Sequence, residues 1–393
     1  MRVAVANWSS RRVGGIEEYV GILLPALRRA GLDVAFWHER NAPVDRSAIE
    51  PPPGVPFWCA AEMGAEASFD ALRAWQPDVL YVHGSESVDL ERRLLDIAPA
   101  VHFLHTYTGT CISGQKTWTR PVVTPCSRRF GPMCLAHYFP HGCGGSNPVT
   151  MVRLYREQAS RLAQLRRYRT ILTHTEHMRQ EMVRHGLDAE VVPYPVETRT
   201  SDAGHAGDGT WRLLYAGRME PIKGGLALIQ ATPDVVAAVG RPVSVVMAGD
   251  GRDRQRWEIR AREIEKSITN VQFEFPGWLP QDRLAKLMKD ADLLVVPSLW
   301  PEPFGSVGPG AGEHGLPAAA FAVGGIRQWL VDGVTGHLAP GDPPTPAGLA
   351  RAIVRCLEDP SHYAALRKGA REMADTFTME RHLPELIKVL ARA

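Results

Sequence analysis

Short β-branched runs alternate with longer amphipathic runs twice along this chain, a pattern that confines it to parallel sheets covered by helices. The first series starts at Val3–Ala6, turns at Gly14-Gly15 and enters a helix over 17–28, where Val20, Leu23, Leu24 and Leu27 recur at helical spacing. Pro25 interrupts this helix and predicts a kink. Further strands are expected at Val34–Trp37, Val79–Val82, Val101–Leu104, Thr170–Thr173 and Glu190–Val192. The second series runs through Arg212–Ala216, Val243–Ala248, Asn270–Phe273, Leu293–Val296 and Ala318–Ala322. Between the two lies Glu197–Gly209, polar, glycine-rich and without period, which reads as a linker. We therefore expect a first domain over 1–196, a linker over 197–209, a second domain over 210–375 and a helix over 376–393. An irregular, cysteine-containing insertion is expected over 109–147.

A length of 393 residues agrees with two or three domains at roughly 150 residues each. Lys+Arg and Asp+Glu stand at 45 and 43, so the formal charge of +2 gives no support to wrapping nucleic acid or to a strongly polybasic membrane anchor, and no nucleic-acid partner is expected. No apolar run approaches the roughly 18 residues of a bilayer span, and Met1–Asn7 reads as a buried strand rather than a leader, so we expect a cytoplasmic protein with at most peripheral membrane contact. Six cysteines are too few for a disulfide scaffold.

The chemistry-bearing residues follow strands of the second series. Ala216-Gly-Arg-Met-Glu-Pro-Ile-Lys-Gly224 lies directly after one, where parallel sheets bind ligands. Arg218 offers a two-pronged fork and Lys223 a point charge, a pair suited to a diphosphate. Ala248-Gly-Asp-Gly251 and Gly277-Trp-Leu-Pro280 follow the next two strands, with Gly249 in the first of these turns. Then come Pro297-Ser-Leu-Trp-Pro-Glu-Pro-Phe-Gly305, Gly324-Gly325, Asp332-Gly333 and Gly336. Asp290-Ala-Asp292 precedes its strand, at the end away from the ligand side, and reads as a solvated turn rather than a metal motif.

In this order and spacing the chain resembles the GT-B glycosyltransferases of family 4 over nearly its whole length. The resemblance implies an α/β fold of two doubly wound, Rossmann-like domains facing across a cleft, with the C-terminal helix returning to the first. It matches Gly14-Gly15 to the family's N-terminal glycine loop, His105 to its histidine after a first-domain strand, and Glu302-Pro-Phe-Gly305 to the start of its E-x7-E signature. The implied activity is retaining, hexosyltransferase-like transfer from a nucleoside-diphosphate sugar to an acceptor hydroxyl of a small molecule, glycan or lipid-linked compound. Arg218 and Lys223 would stabilise charge on the departing phosphate, joined by backbone N–H groups around Phe304, Gly305 and Ser306, so the front-side reaction needs no divalent metal. Glu302 would meet the donor sugar, and His105 would hydrogen-bond a sugar hydroxyl or help orient the acceptor; His83, placed similarly after an earlier strand, is a further candidate to bind substrate. One departure stands out: the signature's second glutamate, which the resemblance expects to accept hydrogen bonds from the donor's ribose hydroxyls, falls on Gly310, and Glu313, three residues on, is the nearest substitute. A scaffold that has lost turnover and serves as a partner subunit, or another sugar-nucleotide enzyme of this fold, is the alternative.

Two features lie outside this scheme. Cys111, Cys126, Cys134 and Cys143 share a segment with His137 and His141, a composition open to structural zinc, buried thiols or a redox disulfide. The helix over 151–168 carries Arg153, Arg156, Arg161, Arg166 and Arg167, read as a solvated basic face over an apolar packing face; contact with anionic lipid is the other reading.

Overall fold

The computed structural model describes residues 1–12, 14–42, 48–196 and 209–393. The chain opens with β1 (Arg2–Ser9), α1 (Gly15–Arg29), β2 (Asp33–Arg40), β3 (Phe57–Cys59), α2 (Ala60–Met63), α3 (Ala65–Trp75), β4 (Val79–Val82), α4 (Val88–Leu94) and β5 (Ala100–Leu104). A two-residue ribbon, β6 (Thr117–Trp118) and β7 (Thr124–Pro125), precedes α5 (Met133–His137), α6 (Pro148–Leu165), β8 (Thr170–Thr173), α7 (Glu176–Arg184) and β9 (Glu190–Val191). Strands β3, β2, β1, β4, β5, β8 and β9 form one sheet in that order, every pair parallel. Val3–Ala6, Val79–Val82 and Ala100–Leu104 are buried throughout, as continuous apolar strands are when helices cover both faces. Helix α1 buries Tyr19, Val20, Leu23, Leu24 and Leu27 and runs on through Pro25 as one helix.

The second series gives β10 (Trp211–Ala216), α8 (Gly225–Val239), β11 (Val243–Ala248), α9 (Arg254–Ser267), β12 (Val271–Gly277), α10 (Gln281–Asp290), β13 (Leu293–Val296), α11 (Val307–Gly312), β14 (Ala318–Phe321), β15 (Gly336–Ala339), α12 (Pro346–Leu357), α13 (Pro360–Ala374) and α14 (Met379–Ala391). Its sheet is parallel, in the order β12-β11-β10-β13-β14-β15. Pro221–Val239 is long and apolar enough to cross a membrane by length and composition, but its larger part, α8, packs on α12.

Two compact units result. The first holds Met1–Gln115, Arg128–Glu197 and Thr378–Ala393; the second holds Lys116–Ser127 and Thr198–Phe377. The ribbon of the expected insertion thus belongs to the second unit, and α14 belongs to the first, as the resemblance implied. The expected linker 197–209 lies, but for Gly209, outside the described residues. Asp290-Ala-Asp292 is not wholly solvated: Asp292 is buried, and its carboxylate accepts a hydrogen bond from the Arg212 amide at 2.8 Å, fastening β13 beside β10.

Candidate active site

In both sheets the strand order reverses once, between β10 and β13 in the second and between β1 and β4 in the first. At such a switch point the flanking loops leave in opposite directions and open a crevice at the carboxyl ends of the strands, where ligands bind. Most of the expected residues fall on those four loops.

After β10 the chain forms a 3-10 turn, Pro221–Lys223, and Gly224 then enters α8 with φ +68°. A Cβ on Gly224 would lie 1.8 Å from the Pro297 carbonyl oxygen, so only glycine lets the loops after β10 and β13 touch. The Leu299 amide donates to the Ile222 carbonyl at 2.8 Å and holds them together. Gly249 does the same beside β11, where a Cβ would stand 1.9 Å from the Gly217 carbonyl oxygen.

This contact brings Lys223 onto Glu302. The Lys223 ammonium donates to Glu302 Oε1 at 2.7 Å, and Ser298 Oγ donates to the same oxygen at 2.5 Å. Both ionic side chains are mostly buried, 18% and 8% exposed, and Nζ lies 5.0 Å above the Trp300 ring. Burial raises the Tyr215 phenol well above its usual range, with the Glu302 charge adding to it, and its hydroxyl donates to the Arg218 carbonyl. The Arg218 guanidinium is over half exposed and pairs with Glu220 at 3.2 Å. Lys223 and Glu302 are therefore assembled, while Arg218 stands at the solvent edge of the same loop, paired with Glu220. Ser298, inside the stretch Pro297–Gly305, and Tyr215, in the strand before Arg218, were given no role from sequence.

Phe304 is buried against Phe377, and its carbonyl accepts the Trp329 indole N–H at 2.8 Å. Gly305, at φ +83°, and Ser306 lead into α11, which is only six residues long. Glu313 sits at its C-terminal end, away from the Gly305–Ser306 entry, while Gly310 has open space around it.

In the first unit Gly14 caps α1, and its amide donates to Glu17 Oε2 at 3.0 Å; Glu17 Oε1 in turn accepts the Trp8 indole N–H. Gly15 follows as the first residue of the helix, its carbonyl accepting the Tyr194 hydroxyl. His83 Nδ1 and His105 Nε2 share a hydrogen bond of 3.0 Å. Around them gather Tyr19, Phe103, His174, Tyr194 and His382, with ring centroids 4.3–6.3 Å apart. The Tyr19 hydroxyl reaches Tyr81 at 2.9 Å and His382 Nε2 at 2.7 Å, and His382 Nδ1 lies 2.9 Å from the Pro193 carbonyl oxygen. Burial lowers every imidazole here: His174 to about 3, His382 to about 4, and His83 and His105 well below the usual value, with neighbouring histidines adding. All four are neutral at pH 7, so His105 and His83 can orient a hydroxyl but carry no charge. His83 Nε2 and Asn7 Oδ1, at the carboxyl ends of β4 and β1, are buried without a hydrogen-bond partner among the described residues. Such atoms call for a polar partner, a water or a ligand group.

Among the described residues no three His, Cys, Asp or Glu side chains stand where they could hold a metal ion. The thiols turn to local partners instead: Cys134 to the Arg129 carbonyl at 4.0 Å, Cys143 to the His137 carbonyl at 3.7 Å, Cys111 to the Ser113 hydroxyl at 3.5 Å. Cys134 and Cys143 pack on Ile112, Phe130 and Tyr138 as small apolar residues, and Cys126 falls in the other unit. None of the six cysteines is in a disulfide.

Residues 13–200 match the family described as Glycosyltransferase Family 4, and residues 197–373 the one described as Glycosyl transferases group 1. Among curated proteins, the chain is 35% identical over 192 residues to a 2-deoxystreptamine glucosyltransferase of Streptomyces kanamyceticus. That match takes in 48% of this chain and 47% of the relative, so the chain spans about half the length of the relative it matches. Among solved structures, a sucrose-phosphate synthase from Thermosynechococcus elongatus superposes with a TM-score of 0.69 at 20% identity, covering 100% of this chain and 98% of that one. Anabaena HepE, in complex with UDP and glucose, does so with a TM-score of 0.66 at 18% identity, covering 100% and 99%. Both likenesses concern the fold.

Proposed function

The chain belongs to the family 4 glycosyltransferases of GT-B fold, and on that premise we propose that it moves a sugar from a nucleoside-diphosphate donor to an acceptor hydroxyl, with retention and without a catalytic metal. The observation that supports this most is the Lys223–Glu302–Ser298 cluster at the switch point between β10 and β13. As the glycosidic bond breaks, negative charge builds on the leaving β-phosphate. Lys223, already desolvated and aimed by Glu302, meets that charge at little reorganisation cost, and Arg218 swings from Glu220 to join it. Glu302 Oε1 is taken by Lys223 and Ser298, which leaves Oε2 to accept a donor-sugar hydroxyl. The departing phosphate itself takes the acceptor proton, so no second carboxylate is needed. Asn7 and His83, with their unpartnered atoms, are where we place the acceptor's polar groups, His105 orienting His83. The six thiols suit the reducing cytosol in which we expect the chain to act.

The experiment is nucleoside-diphosphate release with and without acceptor, in wild type, Arg218→Ala and Lys223→Gln. Losing one charged donor at a developing oxyanion costs on the order of 100-fold or more in rate. Arg218→Ala is the cleaner variant, since its exposed pair with Glu220 adds little stability. Unchanged turnover in both variants would overturn the assignment, and release that ignores the acceptor would favour a scaffold or another sugar-nucleotide chemistry.

A further inference from the structure

Residues 97–156 contain no aspartate or glutamate, an asymmetry that the near-zero net charge conceals. Part of that run forms one piece of the first unit. Helix α5 packs on α6 over a core of Ile112, Phe130 and Tyr138, with Leu135, Leu154, Tyr155 and Leu162 against it. The outward face of α6 reads Val149, Val152, Arg153, Arg156 and Ser160, all exposed and, at about 100° per residue, confined to a stripe roughly 100° wide. Val149 is 74% exposed, and beside α6 the α5 segment adds Met133 at 56% and Phe139 at 39%. Arg129, Arg153 and Arg156 are exposed and make no ion pair among the described residues. The structure divides the helix's basic residues: Arg161 does not belong to the solvated face expected from sequence. It is buried, donating to the Ser85 and Glu86 carbonyls and pairing with Glu91 and Glu157. What remains outside is a mixed apolar and cationic surface, with Glu157, 36% exposed and bonded to Arg161, at its margin.

We infer that this surface docks on an anionic lipid bilayer, with Met133, Phe139, Val149 and Val152 entering the head-group layer and Arg129, Arg153 and Arg156 meeting lipid phosphates. Charge complementarity selects the partner. Exposed large apolar side chains interleaved with unpaired arginines suit an interface that is oily below and anionic above. A soluble acidic partner would satisfy the arginines but leave the apolar side chains without a role. The inference does not depend on the donor chemistry proposed above.

The test is flotation of the full chain with phosphatidylcholine vesicles containing 30% phosphatidylglycerol, and with pure phosphatidylcholine, at about 0.1 and 0.5 M salt. Retention is expected on the anionic vesicles at low salt only. Each basic residue near an anionic surface is worth about 1 kcal/mol, or about fivefold in binding. Arg153→Gln with Arg156→Gln should therefore weaken retention by about 25-fold. Met133→Ser with Phe139→Ser should weaken it too, without changing capture by poly-glutamate beads. Thermal midpoints, and nucleoside-diphosphate release with a soluble acceptor, should stay at the wild-type value in both variants and certify the fold. No retention on anionic vesicles, or equal retention of the folded variants, would overturn the inference. Retention sensitive to the arginines but not to Met133 and Phe139 would transfer the surface to a soluble polyanion and overturn it as well.

Discussion

Three glycines in α11 respond to an added methyl group in different ways. A Cβ on Gly308 would lie 2.4 Å from the Trp329 ring and one on Gly312 2.6 Å from the Ala370 carbonyl oxygen, whereas one on Gly310 meets nothing within 4 Å. Residues 308 and 312 share the inner face, a turn apart, and 310 lies about 200° round from 308. Gly310→Ala should therefore recover helix propensity and raise stability by about 0.5–1 kcal/mol. Gly308→Ala and Gly312→Ala should lower it by about 1–3 kcal/mol, because backbone or indole must move to admit the methyl. Urea unfolding of the three single variants reads these differences directly. A Gly310→Ala protein less stable than its parent, or a Gly308→Ala protein equal to it, refutes the packing argument. Gly310→Glu then carries the reasoning to function. It keeps the harmless Cβ and adds a carboxylate at the position from which the resemblance expects the ribose hydroxyls to be held. Glu313 lies at the C-terminal end of α11, three residues beyond. One charge-assisted hydrogen bond is worth about 1.5–3 kcal/mol, so calorimetric titration with UDP, ADP and GDP should show one of them bound about 10- to 100-fold more tightly. A stabilised protein with unchanged or lost nucleotide affinity would leave the helix geometry intact and sink the ribose assignment.

Three other outcomes are expected. His174 and His382 titrate near 3 and 4 when folded and near 6.5 when unfolded, so their contribution is complete above pH 6.5 and falls as pH drops towards 4. At pH 5.5 each should cost roughly 1–2 kcal/mol, and His382→Gln should narrow the gap between urea midpoints at pH 7.5 and 5.5; an equal gap contradicts this. Gly224→Ala, with its Cβ 1.8 Å from a carbonyl oxygen and a left-handed backbone, should destabilise by several kcal/mol and lower nucleotide binding with it, checked by thermal unfolding and titration. Purified reduced protein should carry no stoichiometric zinc by elemental analysis, and EDTA should leave its melting temperature unchanged, since among the described residues no three His, Cys, Asp or Glu side chains are placed to hold a metal ion.

What the sequence made legible was what neighbours in the chain decide. Val79–Val82, Val243–Ala248 and Leu293–Val296 became β4, β11 and β13 because a β-branched run buried on both faces has few alternatives. β15 escaped notice because Gly336-His-Leu-Ala has no such run. It is a strand only by pairing with β14, and its glycine, seen as a turn, is there because a Cβ would sit 1.8 Å from the Ala318 oxygen. Lys223 and Glu302 were visible through their motifs, but their bond joins residues 79 apart and needs the glycine contact at Pro297 to exist. The histidine cluster was half visible. His83 and His105 follow strands, whereas His174 and His382 gain meaning only from burial around Tyr19.

The bond between Tyr19 and His382 spans 363 residues. The first unit therefore cannot finish folding when its own first 196 residues have been made; it must wait for the second unit to be synthesised before α14 arrives. At 5–20 residues per second the wait is roughly 10–40 s. Throughout that time the Tyr19 and Tyr81 hydroxyls and the Pro193 carbonyl lack the helix that closes over them. The unfinished unit presents a wet, half-polar seam on the ribosome, and the second unit can fold before the first is sealed.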